Sequence, residues 1–202
     1  MQNLTLKSEL KFNSDSDRID LIEALKAERT AFNICSQIHF GKVKNSIVEL
    51  HADCYDKIRY SNPEIKSQLI IKAENNCLSA YKSIKSNKHK LTKPIEKKRL
   101  STRYDARLST YSEGIFRLTT LKKRVEARPV MYDRLKTYLS KYKFGDILLY
   151  SDGIKVFVCL TFKVEETPII PKLAIGVDLG IRRFATTSDG KLIISKKYNR
   201  EK

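Results

Sequence analysis

The chain has 202 residues, 41% of them hydrophobic, which suits one or two folded units with real cores and excludes a wholly disordered protein. Forty lysines and arginines stand against 23 acids, a formal charge of +17 at pH 7, and that surplus points to a polyanionic partner, nucleic acid ahead of an anionic membrane surface. No apolar run approaches the roughly 20 residues of a membrane span, and the opening MQNLTLKSEL has no signal-peptide core, so the expected location is the cytoplasm with no membrane partner.

Leu4, Leu6, Leu10 and Phe12 share one parity, broken by Ser8, and predict a first strand with one buried face. Ser16 or Asp17 is positioned to cap a helix carrying Ile19, Ile22, Leu25, Phe32, Cys35 and Ile38 and stopping near Gly41. Ser46 and Glu49 make a capping box for a second helix with Leu50, Cys54 and Ile58. Asn62 and Pro63 are expected to open a third, on which Ile65, Leu69, Ala73, Cys77, Tyr81 and Ile84 recur every three or four residues. These positions predict the core of a helical bundle.

Residues 82–143 change character. They hold 19 lysines and arginines against five acids (Glu96, Asp105, Glu113, Glu126 and Asp133), a net of +14, which is most of the excess charge of the chain. The stretch KSNKHKLTKPIEKKR reads as an exposed connector. Short strands follow, with Ile115, Phe116, Leu118 and Leu121 near a Gly114 turn, then a short helix over 131–142. Residues 147–150 and 154–164 flank Ser151, Asp152 and Gly153, a strong hairpin signal, and Val156, Val158, Leu160, Phe162 and Val164 share one face of the second strand. Pro168 and Pro171 bracket a linker. Cys35, Cys54, Cys77 and Cys159 form no CxxC pair and His39, His51 and His89 no HxxH or HxxxH pair, so the cysteines are expected to be reduced and mostly packed inside.

The last segment predicts a strand over 173–179, a second over 184–187, a tight turn at Ser188, Asp189 and Gly190, and a third strand over 192–195. Asp178 lies within the first of these. Burying an aspartate is costly unless a cation or strong donors take up its charge, so Asp178 is read either as a metal ligand or as a satisfied acid at a strand end. Such an opening begins both the RNase H-like nucleases and the actin-like ATPases. The bulky Ile181, Arg182 and Arg183 stand where the ATPase turn is small and hydroxyl-rich, which favours the nuclease.

Within the basic band, Lys97, Lys98, Arg99, Arg103 and Arg107, then Lys122, Lys123, Arg124 and Arg128, are the candidates for nucleic-acid contact, although each alone reads as a solvated charge. The interleaved Tyr104, Tyr111 and Phe116 either stack on unpaired bases or, as aromatics at strand spacing more often do, pack in a core. Arg182 and Arg183 either touch a phosphate or face solvent.

With these residues in view, the chain resembles the TnpB (OrfB) family of insertion-sequence proteins and the related miniature type V CRISPR effectors. IGVDLGIRRFATTSDG is similar to their first RuvC motif, and RLTTLKKRVEARP with GDILLYSDGIKVFVCLTFKVEETP to the strand-rich module before it. PEIKSQLIIKAENNCLSAYKSIK is similar to a recognition-lobe helix. The resemblance implies an α+β fold: a strand-rich wedge module of OB-like barrel type with an inserted helical bundle, followed by the first strands of an RNase H-like (RuvC) domain. It divides the chain into a first wedge strand at 1–14, a helical recognition-type insertion at 15–90, a basic wedge module at 91–167 and an incomplete RuvC portion at 172–202.

The implied function is that of a transposase-associated, RNA-guided DNA endonuclease, with guide-type RNA and duplex DNA as partners and Asp178 as the catalytic, metal-binding acid. Mg2+ serves the complete family site. Family members continue with a second acidic motif, a zinc-binding cysteine cluster and a third catalytic aspartate, whereas this sequence stops at Lys202. The expectation is therefore a truncated or split nuclease, inactive alone, with a separately encoded C-terminal half as a candidate partner. Asp178 alone is not expected to hold Mg2+ tightly. The alternative is a standalone RNA- or DNA-binding module or regulator derived from such a nuclease.

Overall fold

In the computed structural model, which describes residues 2–42, 46–165, 175–179 and 185–193, the chain separates into two units, 1–165 and 166–202. The first begins with β1 (Gln2–Phe12) and three helices, α1 (Asp15–His39), α2 (Ile47–Ser61) and α3 (Ser67–Ser86). It continues with β2 (Leu100–Tyr104), β3 (Ser109–Ser112), β4 (Ile115–Thr119), β5 (Arg124–Pro129), α4 (Asp133–Lys141), β6 (Ile147–Ser151) and β7 (Val156–Val164). The class is α+β, as the sequence suggests.

The seven strands form one antiparallel sheet in the order β2, β6, β7, β1, β5, β4, β3. Laid flat at a spacing of about 4.8 Å, its edges would stand roughly 29 Å apart. The edge strands β2 and β3 are consecutive in the chain, however, and residues 105–108 between them can span at most about 17 Å. The sheet must curl, and it forms a half barrel. Its two sides meet where the Tyr104 hydroxyl on β2 donates to the Thr119 carbonyl of β4 at 2.9 Å. Phe144 lies inside the curl, in ring contact with Tyr111, Phe116 and Phe162. β1 is long enough to serve both halves, pairing with β7 from Gln2 to Glu9 and with β5 from Leu10 to Phe12.

Strand alternation fixes which face is buried. Leu6, Leu10, Leu118, Val125, Leu149, Val156, Val158, Leu160 and Phe162 point inward and join one core with the helices. Ser8, which breaks the apolar parity of β1, also points inward, and its hydroxyl donates to the Val130 carbonyl at 2.8 Å. The hairpin between β3 and β4 turns on Glu113 and Gly114, both left-handed (φ 51° and 78°), as a two-residue turn of this hand requires.

Helix boundaries differ from the sequence expectation at two points. Ser14, rather than Ser16 or Asp17, caps α1, because its hydroxyl accepts from the Asp17 amide at 3.2 Å. Asn62 ends α2, and α3 begins only at Ser67. The Arg59 guanidinium donates to the Pro63 and Ile65 carbonyls and to Ser67 Oγ, which holds the intervening turn out of helical conformation. Ser46 caps α2 as expected. Leu21, Ile22, Leu25, Phe32, Leu50, Ile58, Leu69 and Leu78 interlock as core, while Ile19 on the second turn of α1 is 49% exposed. Cys35, Cys54 and Cys77 are buried free thiols, and Cys159 is half-buried.

The second unit contains β8 (Val177–Asp178), β9 (Ala185–Thr187) and β10 (Leu192–Ile193), antiparallel with β9 in the middle. Thr187 and Gly190 (φ 83°) shape the turn between β9 and β10. The expected strand residues 173–174, 184 and 194–195 lie outside the described residues.

Candidate nucleic-acid interface

Several cations of the basic band are committed inside the fold. The Lys97 ammonium pairs with Glu28, whose side chain is fully buried on α1, and only 13% of the Lys97 side chain is exposed. Asn76 Nδ2 donates to the same carboxylate at 3.0 Å, so the buried charge has two partners. The Lys97 backbone is fastened to α1 as well, its amide donating to Asn33 Oδ1 at 2.8 Å. Lys97 therefore holds the connector onto α1 and does not offer its charge to solvent.

Lys123 and Lys122, between β4 and β5, lie 2.7 Å and 3.8 Å from Asp17 and Asp20 on the first turns of α1. The hydrogen bond from Lys123, seconded by Ser14, lowers the Asp17 carboxyl below its usual range. Arg124 donates to the Arg107 carbonyl at 2.8 Å and to Thr119 Oγ1, Arg107 to Gln68 Oε1, and Arg128 to Asn13 Oδ1 at 3.0 Å. These arginines are exposed but anchored to neighbouring oxygens. Lys98, Arg99 and Arg103 differ: they are exposed and have no carboxylate partner among the described residues. Arg182 and Arg183 lie outside the described residues.

Two of these cations, Lys98 and Arg99, edge a groove. Arg29 on α1, with Lys98 and Arg99 of the connector, overhangs the outer face of β2, β6 and β7 and encloses about 610 Å³ above Leu148, Tyr150 and Cys159. Strand register orders that outer face. One cross-strand row reads Arg103, Leu148, Cys159, Lys7 from β2 to β1, and the next reads Ser101, Tyr150, Phe157, Glu9. Tyr150 and Phe157 stack nearly parallel, with ring centroids 4.9 Å apart and planes 16° from each other. The Lys7 ammonium lies 4.2 Å from the Phe157 centroid and 4.9 Å from that of Tyr150. Its proximity to the Tyr150 hydroxyl raises the Lys7 ammonium above its ordinary value. Burial pushes the Cys159 thiol up, with Lys7 pulling the other way.

The aromatics singled out from sequence occupy other places. Tyr104 and Phe116 are buried in the core, and Tyr111 is half-buried against Phe116 and Phe144. The outward pair Tyr150 and Phe157 is not evident from composition. Its signal lies in the opposite parity of the same hairpin whose inward residues are so regular: once Val156 and Val158 face in, Phe157 must face out.

Asp178, on β8, is exposed, between Val177 and Leu179, themselves 57% and 73% exposed. Asp189 is engaged in the turn after β9 by Thr187 and by Lys191 at 3.1 Å, contacts that lower its carboxyl. Among the described residues no group of three or more His, Cys, Asp or Glu is placed to hold a metal ion. A two-ion centre needs several carboxylates about one point, and Asp178 by itself does not fit one.

No protein-family model matches the chain, and no curated protein matches its sequence.

Proposed function

We propose that the chain is a nucleic-acid-binding protein, the wedge and recognition portion of a TnpB-like, transposon-encoded RNA-guided nuclease, with no cutting activity of its own. In that reading the curled sheet is an OB-like wedge, α1 to α3 its recognition-type insertion, and β8 to β10 the opening of an RNase H-like domain with Asp178 as its first metal-binding acid. The carrying observation is the set of cations Arg29, Lys98 and Arg99 at one groove, with Arg103 beside Leu148 on the neighbouring strand, all without carboxylate partners among the described residues. Cations left unpaired beside a concave surface are the electrostatic footprint of a phosphate backbone.

Four phosphate contacts would give a log–log slope of affinity against salt of about −3 for single strands and −4 for duplexes. Equilibrium binding of RNA and of duplex DNA across a salt series tests this. Affinity independent of salt, or no binding at low salt, refutes the proposal. With Mg2+ or Mn2+ present the chain should leave both nucleic acids uncut, and cleavage abolished by Asp178→Ala would refute the inactive reading. A second reading, a standalone RNA- or DNA-binding module, is favoured by the core of the first unit, whose members among the described residues all lie within residues 4–164.

A further inference from the structure

We infer that the outer face of β6 and β7 is a stacking platform for the bases of an unpaired RNA strand, with Tyr150 and Phe157 as its floor. The inference rests on the nucleic-acid-binding reading and gives it a ligand and a site. The sheet turns one regular face to its core, so whatever aromatic surface it carries outward needs a separate explanation. Tyr150 and Phe157 form one stacked ring pair in the middle of the four strands β2, β6, β7 and β1, in a row that ends at Ser101 on one side and Glu9 on the other. Leu148, 36% exposed, and Cys159 extend the apolar floor in the adjoining row. That row ends in a cation on each side, Arg103 and Lys7.

This pattern matches a single strand in both of its chemistries. Bases need flat apolar surface, since every base has a π-face that stacks on an aromatic ring without regard to sequence. Phosphates need positive charge about that surface, and Arg29, Lys98 and Arg99 at the groove, Arg103 at the β2 end of the adjoining row and Lys7, whose ammonium lies over the ring pair and must swing aside to a phosphate when a base stacks, provide it. A duplex keeps its bases stacked on each other and could use only the cations. An acidic peptide could use the cations but has no systematic claim on the paired rings.

RNA is favoured over DNA by the acceptors at the groove. Ser101 and Asp152 line it beside Tyr150. Asp152 Oδ1 already accepts the amides of Ile154 and Lys155 at 2.9 and 2.7 Å, and its second oxygen remains as an acceptor. A ribose 2′-hydroxyl can donate to such an oxygen, whereas deoxyribose has nothing to donate.

The experiment compares wild type with Tyr150→Leu, Phe157→Leu and the double variant against an unstructured RNA of about 12 nucleotides, the DNA of the same sequence and an RNA duplex. Leucine keeps an apolar outward side chain and removes the π-face. The double variant should bind the unpaired RNA about 10-fold or more weaker while its affinity for the duplex stays within about 2-fold. In the wild type, saturating unpaired RNA should slow alkylation of Cys159, which lies in the platform and is the one cysteine of the four that is not buried. That readout needs no variant. Undiminished affinity in the double variant, equal losses for strand and duplex, or unprotected Cys159 overturns the platform even if the salt-dependent binding of the preceding section is found. Equal affinity for the unpaired DNA overturns the assignment to RNA. Absence of any nucleic-acid binding overturns both readings together.

Discussion

Lys97 belongs to the densest cationic cluster of the sequence, yet its ammonium is spent on Glu28, so Lys97→Met separates architecture from recognition. Methionine preserves the length and apolar stem of the side chain and leaves the Glu28 carboxylate, fully buried, with Asn76 as its remaining partner. Removing one member of a buried ion pair costs about 3 to 5 kcal/mol. The lower end, about 3 kcal/mol, applies because Asn76 still donates and the 13% exposure of Lys97 marks a path for water. In a unit of this size each kcal/mol shifts the midpoint by roughly 2–4 °C, so the variant should melt about 6–12 °C below wild type. Circular dichroism melts measure this. The double variant Glu28→Leu with Lys97→Met should recover much of the loss, because no charge is then buried alone. At a temperature where both remain folded, Lys97→Met should bind RNA within about 2-fold of wild type, whereas Arg99→Glu should bind far more weakly. An unchanged melting temperature combined with lost RNA affinity would show Lys97 to be a phosphate contact and would refute the structural role.

Ser14→Ala should cost about 1 kcal/mol in urea denaturation through loss of the α1 cap, and Ser16→Ala should cost nothing measurable. A native thiol titration near pH 8 should modify Cys159 alone, with Cys35, Cys54 and Cys77 reacting only on unfolding. The hydrogen bond with Cys54 and then burial hold Cys35 protonated, and burial pushes Cys77 up to about 12. Burial also raises the Glu74 carboxyl, opposed by His51 at 3.0 Å. A raised folded-state value means that the stability contributed by Glu74 is complete below its ordinary 4.5 and is lost as pH rises through the folded-state value. Glu74→Gln should therefore melt progressively higher relative to wild type as pH goes from 4 to 7, and a difference that shrinks with pH would contradict the assignment.

Local periodicity made much of the fold legible. The inward parities of β1 and β7, the Ser46 cap and the Asp152 and Gly153 turn are short-range patterns, and each reports on a neighbour a few residues away. Asn62 and Pro63 misled because their ordinary role as helix openers is overridden by Arg59, whose bonds to Pro63, Ile65 and Ser67 are a tertiary choice. The basic band was visible as charge, but its division into structural and free cations was not. That division depends on where Glu28, Asp17 and Asp20 of α1 arrive, 69 to 106 residues away from their lysines. The outward row Tyr150 and Phe157 escaped notice for a similar reason, since only the strand register brings Lys7 across from the other end of the unit.

The pairing of Gln2 with Val164 has a consequence for biosynthesis. The Gln2–Glu9 part of β1 has to wait for β7, which ends 162 residues after Gln2, and at 5–20 residues per second that is about 8 to 30 s. During that interval α1, α2 and α3 are already complete and can collapse on one another, while the Gln2–Glu9 part of β1, with its alternating apolar residues, remains unpaired even after Leu10–Phe12 can join β5. Its outward lysines, Lys7 and Lys11, then act as gatekeepers against association with other nascent chains. The same cation that lies over Phe157 in the finished protein thus protects the chain before its sheet exists.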